Sequence, residues 1–162
     1  KLALEPLIHG GESTTIYRSG TPTVALAASL ETALEAAVGE LPARTARVKE
    51  ANAFLRDALS KYPKVHINSP ENAIPHILNL SVENVKGTVF QRELDAEGVC
   101  VSVKSACSSD GLPSRAVFAV SRDRRNALSS WRISLSHLTT QEELNGFLHA
   151  FDACYTRLTR PQ

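Results

Sequence analysis

Along the chain the spacing of apolar positions changes period several times, and each change marks an element. From about Val24 to Val38 the residues are apolar almost all round. This predicts an alanine-rich helix opened by Pro22-Thr23 and stopped by Gly39 and Pro42. A second helix is expected over about 43–61, where Val48, Ala51, Leu55, Ala58 and Leu59 recur at spacings of three and four. The period then shortens to two. "KVHINS" and "HILNLSV" read as strands on either side of the turn-rich "SPENAIP". A helix over about 86–96 follows, with Gly98 as its C-terminal cap.

Residues 99–103 read as another strand and 114–120 as a short helix. "WRISLS" alternates cleanly, with Trp131, Ile133 and Leu135 on one face and Arg132 and Ser134 on the other. In the last helix Thr139 with Glu142, or Thr140 with Glu143, fits a capping box. Leu144, Phe147, Leu148, Phe151, Cys154, Tyr155 and Leu158 form its apolar stripe. This order of elements predicts an α/β (α+β) fold, a mixed short-stranded sheet covered by helices. A boundary is expected near residue 40. Residues 1–40 would be a loop and connecting helix, and 41–162 a self-contained small domain.

Composition narrows the function classes. The chain has 162 residues, 43% of them apolar, which suffices for one core. Its formal net charge is +1, and its 18 basic residues are scattered with no run interleaved by aromatics, which argues against nucleic acid. No apolar run approaches the roughly 20 residues that span a bilayer, and no signal peptide is visible. A soluble, cytoplasmic protein is therefore expected. The chain contains no methionine and opens "KLALEPLIHGG", as a processed chain or a piece of a longer one would.

The three cysteines, Cys100, Cys107 and Cys154, match no zinc-site spacing, and the five histidines are dispersed, so no metal centre is expected. A disulfide scaffold does not suit a chain of this size. Cys154 on its helical stripe and Cys100 in its strand read as small buried hydrophobes. Cys107 differs. Its neighbours Ser105, Ala106, Ser108 and Ser109 offer no bulk to bury it, and Lys104 would lower its pKa if the loop brings the two together. A reactive nucleophile and an incidental surface thiol both fit. Arg132 is equally open: it can snorkel to solvent or present its planar fork to a carboxylate. "HGGESTTIYRSGT" has the glycines, hydroxyls and arginine of a loop beside a phosphate, but neither a P-loop ending nor a Gly-x-Gly-x-x-Gly pattern.

Taken in order, four segments resemble the cysteine desulfurases, enzymes of the class V aminotransferase type. "PLIHGGESTTIYRSGTPT" resembles their HGG…R-S-G-T motif, and "IPHILNLSV" their P-x-I-L-N-[VL]-S strand. "SVKSACSS" resembles S-S-G-S-A-C-[TS]-S, and "LSSWRISLSHLTTQEELNGFL" resembles R-[IFL]-S-L-G-x-x-T-T-x-E-E-[IL]. The resemblance implies the small C-terminal domain of a fold type I enzyme that uses pyridoxal 5′-phosphate. Such enzymes work as homodimers, convert L-cysteine to L-alanine, and leave the sulfur as a persulfide on a loop cysteine, here Cys107. It implies that Arg132 grips the substrate carboxylate. Thr21 would reach the cofactor phosphate of the neighbouring subunit, and Arg18 would shape the same loop.

It also implies a sulfur-acceptor or scaffold protein as partner, with iron–sulfur cluster assembly among the destinations. The family's Schiff-base lysine precedes the HGG loop, so the chain as given is expected to lack it and to be inactive alone. Three positions depart from the pattern: "ESTTIY" after the glycines, Val103-Lys104 before Ser-Ala-Cys, and His137 where a glycine is usual. They leave the substrate open between cysteine, selenocysteine and cysteine sulfinate. A class V relative with other chemistry and a stand-alone sulfur-carrier module are the competing readings.

Overall fold

The computed structural model describes residues 4–11, 15, 17–104 and 112–160. Its first helix, α1, runs without a break from Val24 to Ser60. Neither Gly39 nor Pro42 ends it, contrary to the expected pair of helices. Proline inside a helix forfeits one ladder bond at a cost of about 3 kcal/mol, and the alanine, leucine, glutamate and arginine on either side are strong helix formers. The chain divides into two compact units, Lys1–Leu41 and Pro42–Gln162, with the division falling inside α1.

In the first unit Ile8 and Arg18 form a parallel bridge, and the Ser19 amide donates to the Ile8 carbonyl at 3.1 Å. A side chain at Gly10 would run into Ser19. Gly20 turns the chain at φ 101°. The α1 residues Leu26, Leu30, Leu34 and Val38 are exposed, although the sequence reads as apolar all round.

The second unit holds the core. Its sheet has the order β1 (Val65–Ile67), β2 (Ile77–Val82), β3 (Ser130–Ser134), and both pairings are antiparallel. The β2–β3 register sets Leu78 against Ile133 and Leu80 against Trp131. Period-two alternation sends these four side chains, with Val82, to one face. All are buried there with Val48, Leu55 and Leu59 from α1. Trp131 stacks on Phe90 at 5.1 Å between ring centroids, and Phe147 and Phe151 close round it. Truncating any of these aromatics to alanine costs about 3–5 kcal/mol.

Helices α2 (Gly87–Ala96) and α5 (Gln141–Thr159) carry the three phenylalanines. At the end of α2, Gly98 adopts φ 79°. Its amide donates to the Asp95 carbonyl and that of Val99 to Leu94, a Schellman closure. At the start of α5 the capping box is the Thr140–Glu143 one. The Glu143 carboxylate accepts from the Thr140 amide, a bond that holds its pKa below the usual range. Thr139 serves elsewhere, accepting from the Ser136 amide. Arg157 of α5 pairs with Glu93 and Glu97 at the end of α2.

Two further helices lie between α2 and β3. The expected short one, α3, spans Arg115–Ser121 with Ser114 as its N-cap. A second, α4 (Arg124–Ser129), is absent from the sequence reading. Its signal is Asp123, whose carboxylate accepts from the amides of Arg125 and Asn126. The expected strand over 99–103 reduces to a single bridge, Ser102 with Arg132. Val99, Val101 and Val103 pack against the core without a continuous ladder.

Glycine at position 87 is dictated by packing: a Cβ there would meet the Ser130 carbonyl oxygen. Gly87→Ala is expected to lower stability by about 1–3 kcal/mol in a denaturant melt, as overpacking does. Tyr62 supplies a second test. Its hydroxyl donates to Asp152 at 3.0 Å, and its ring meets Phe151 and Tyr155 edge-on. Burial, and then the Asp152 carboxylate, push the phenol up from 10.0 to about 12. A pKa raised on folding favours the native state below the unfolded value, and that contribution disappears as pH rises through the folded one. Stability should therefore fall between pH 10 and about 12, and Tyr62→Phe should flatten that slope in pH-dependent thermal melts.

Candidate functional site

Strand β3 sends Trp131 and Ile133 into the core and turns Arg132 to the opposite face. Arg132 exchanges backbone bonds with Ser102, donating to its carbonyl at 2.7 Å and accepting from its amide at 3.2 Å. Both of its backbone groups are thus spent toward Ser102. On its other side Arg132 faces Asn79 as a non-hydrogen-bonded pair, in which Cβ atoms stand about 4.5–5.5 Å apart. Among the described residues the guanidinium has no hydrogen-bond or ion-pair partner.

Arg132 and Asn79 line a cleft of ≈ 660 Å³. Its walls include Asn68 and Ser69 after β1, Val103-Lys104, and Leu112-Pro113-Ser114 leading into α3. Lys104, Arg115 and Arg132 are its charged lining, and no aspartate or glutamate is among its described lining residues. This polarity suits an anion. The last described residue before 105–111 and the first one after it both border the cleft.

The polar floor is held by a directional chain of hydrogen bonds. Ser81 Oγ donates to the Asn126 carbonyl at 3.0 Å. Asn68 Nδ2 donates to Ser81 Oγ at 2.8 Å and to Asn79 Oδ1 at 2.9 Å. Asn126 Nδ2 donates to Asn68 Oδ1 at 2.8 Å. Asn79 is also held by its backbone, its amide donating to Ser69 Oγ and its carbonyl accepting from Asn68. The loop carrying Asn68 and Ser69 is tied to α1 by Arg56, which donates to Asn52 and to the carbonyls of Ser69 and Pro70. A second cleft of ≈ 590 Å³ also touches Arg132, and Cys100, Ser102 and Glu143 line it.

Of the residues singled out from sequence, Arg132 lines the cleft, half-buried. Cys107 lies outside the described residues. Arg18 and Thr21 belong to the first unit, where both are exposed and Arg18 Nη1 donates to the Ser19 carbonyl. Cys154 is buried as expected, and burial pushes its thiol pKa up. Cys100 is not a packing residue: it is exposed, with Sγ 3.9 Å from Asp95 Oδ1. The strand that would have covered it does not form. Among the described residues no His, Cys, Asp and Glu cluster could hold a metal, and no helix is long and apolar enough to cross a membrane. Sequence reading passed over Asn68, Asn79 and Arg115. The alternation in "ILNLS" was the available signal, because it sets Asn79 on the face opposite Leu78 and Leu80.

The family model described as "Aminotransferase class-V" matches residues 7–147. Among curated proteins, the chain is 35% identical over 158 residues to "Cysteine desulfurase IscS" of Dictyoglomus turgidum, covering 96% of this chain and 40% of that protein. It is 30% identical to an "IscS-like cysteine desulfurase" of Mycobacterium tuberculosis, again covering 96% of this chain and 40% of that one. Among solved structures, a NifS-like protein from Rickettsia africae superposes with a TM-score of 0.77 at 27% identity, covering 96% of this chain and 41% of that chain. Another titled "NIFS-LIKE PROTEIN" gives 0.76 at 30% identity, covering 98% and 40%. The chain thus spans about 40% of the length of the curated relatives it matches.

The two kinds of cleft residue should respond differently to substitution. Ser81→Ala orphans the Asn126 carbonyl and one Asn68 donor bond, and is expected to cost about 1–3 kcal/mol in thermal or denaturant melts. Arg132→Ala removes no side-chain partner among the described residues and should cost less than about 1 kcal/mol.

Proposed function

Because the chain belongs to the class V aminotransferase family, we propose that it is the small-domain part of a pyridoxal 5′-phosphate-dependent cysteine desulfurase. Residues 1–40 are then the end of the cofactor-binding domain and its connecting helix, and 41–162 the small domain. The observation that carries this reading is the cleft that Arg132 shares with Lys104 and Leu112, the described residues that flank Cys107 in sequence. It is supported by the names of the curated relatives.

Arg132 grips the carboxylate of L-cysteine with two parallel donors, which fixes the substrate's orientation. Cys107 attacks as the thiolate. A bond forms between its sulfur and the substrate's sulfur, the substrate's carbon–sulfur bond breaks, and the electron pair left on carbon takes up a proton. The products are L-alanine and a persulfide on Cys107, so atoms and electrons balance without an outside oxidant. A thiol of a sulfur-acceptor or scaffold protein then takes the terminal sulfur, with iron–sulfur cluster assembly as one use.

The first unit offers a donor set suited to a phosphate. The Thr21 hydroxyl and the Arg18 guanidinium are exposed on the turn made by Gly20. In this reading they hold the cofactor's phosphate, Thr21 acting across a homodimer. Pyridoxal phosphate, when bound, supplies the electron sink for cleavage of the carbon–sulfur bond. We place the activity in the cytoplasm.

The test is L-cysteine turnover by the full-length gene product and its Cys107→Ala variant, following alanine and protein-bound persulfide. Loss of persulfide and of sulfur release, with the cofactor's absorbance retained, is the expected result. Unchanged sulfur release would overturn the desulfurase reading and leave a class V relative whose loop cysteine is incidental.

A further inference from the structure

We propose that Asn79 is a second anion-binding residue of the cleft, donating its Nδ2 hydrogens to the carboxylate that Arg132 grips. The inference rests on the carboxylate-binding reading of Arg132 and adds a residue to it.

The direction of every bond follows from one group that can only accept. The Asn126 backbone carbonyl has no proton, so the Ser81 hydroxyl beside it must donate. That leaves the Ser81 oxygen to accept, and Asn68 must turn Nδ2 toward it. The same Nδ2 meets the Asn79 side chain, so Asn79 must present Oδ1 there. Its amide nitrogen is then turned away from Asn68, on a residue that lines the cleft. Among the described residues this Nδ2 donates to nothing.

The orientation has a visible cost. Turning Asn126 Nδ2 toward Asn68 leaves Asn126 Oδ1 buried with no partner among the described residues. An amide free to rotate would not be held in that arrangement. The register then sets the two donors side by side: Asn79 and Arg132 are a directly opposed pair on the cleft face. A planar carboxylate has lone pairs enough to accept from both.

The experiment is an NMR titration of the 162-residue chain with acetate, following the Asn79 Nδ2 and Arg132 Nε side-chain resonances. Both are expected to move with one dissociation constant. Asn79→Ala should weaken binding read at Arg132 by about tenfold, the size of a hydrogen bond to a charged group. Asn79→Asp, similar in shape but an acceptor, should weaken it further. Ser81→Ala, which frees Asn68 to turn over, should weaken it in the same direction with Asn79 still present. Circular dichroism of each variant separates loss of binding from loss of fold.

An Arg132 shift with an unchanged constant in both Asn79 variants would overturn the role of Asn79 and leave Arg132 as the carboxylate site. No acetate-dependent shift at either residue in the unaltered chain would overturn this cleft as a carboxylate site altogether. The sulfur chemistry of Cys107 is tested separately by turnover.

Discussion

The register between β2 and β3 is the constraint on which both the core and the cleft depend. It opposes Leu80 to Trp131 and Asn79 to Arg132. Side chains alternate across a strand, so one shift of pairing would exchange the two sets. Trp131 would leave its stack on Phe90, and Arg132 would enter an apolar core without a counter-ion. The aromatic burial that stabilises the second unit therefore also aims the guanidinium. Beyond the backbone bonds to Ser102, the guanidinium itself has no hydrogen-bond or ion-pair partner among the described residues.

Around that register the polar groups are fixed from outside the sheet. Helix α4 supplies the Asn126 carbonyl and amide, and α1 holds the 68–70 segment through Arg56. Neither helix lines the cleft, yet together they decide which atom of Asn79 faces it. Chemistry in the cleft is thus set by backbone acceptors at a distance, through a chain in which each hydroxyl or amide has one remaining choice. The close seat of Gly87 against Ser130 belongs to the same scheme, because it brings α2 and its Phe90 onto β3.

Much of this was legible in the residues. The alternation of "WRISLS" placed Trp131, Ile133 and Leu135 in the core and left Arg132 on the other face. The spacing after Thr140 marked α5 and its buried stripe, and Gly98 marked the end of α2. The misreadings have local causes. Gly39 and Pro42 read as stops because local rules weigh a broken ladder bond but not the helix formers around it. Residues 99–103 read as a strand, but they meet β3 through Ser102 alone, and so Cys100 came out exposed. Helix α4 was missed because six residues are too few for an apolar period to show.

The sequence by itself determined the alternation, the glycine cap of α2 and the family, because these depend on neighbours a few residues apart or on motifs kept in order. Only the tertiary structure decided that Asn68, Asn79, Ser81 and Asn126 form one network. Those residues come from two strands or their ends and a distant helix, and the interactions span up to 58 residues of chain. Nothing in local propensity prefers one orientation of an asparagine amide over the other. That choice is made by a backbone carbonyl brought into range by packing, so the donor that Asn79 offers to the cleft belongs to the fold.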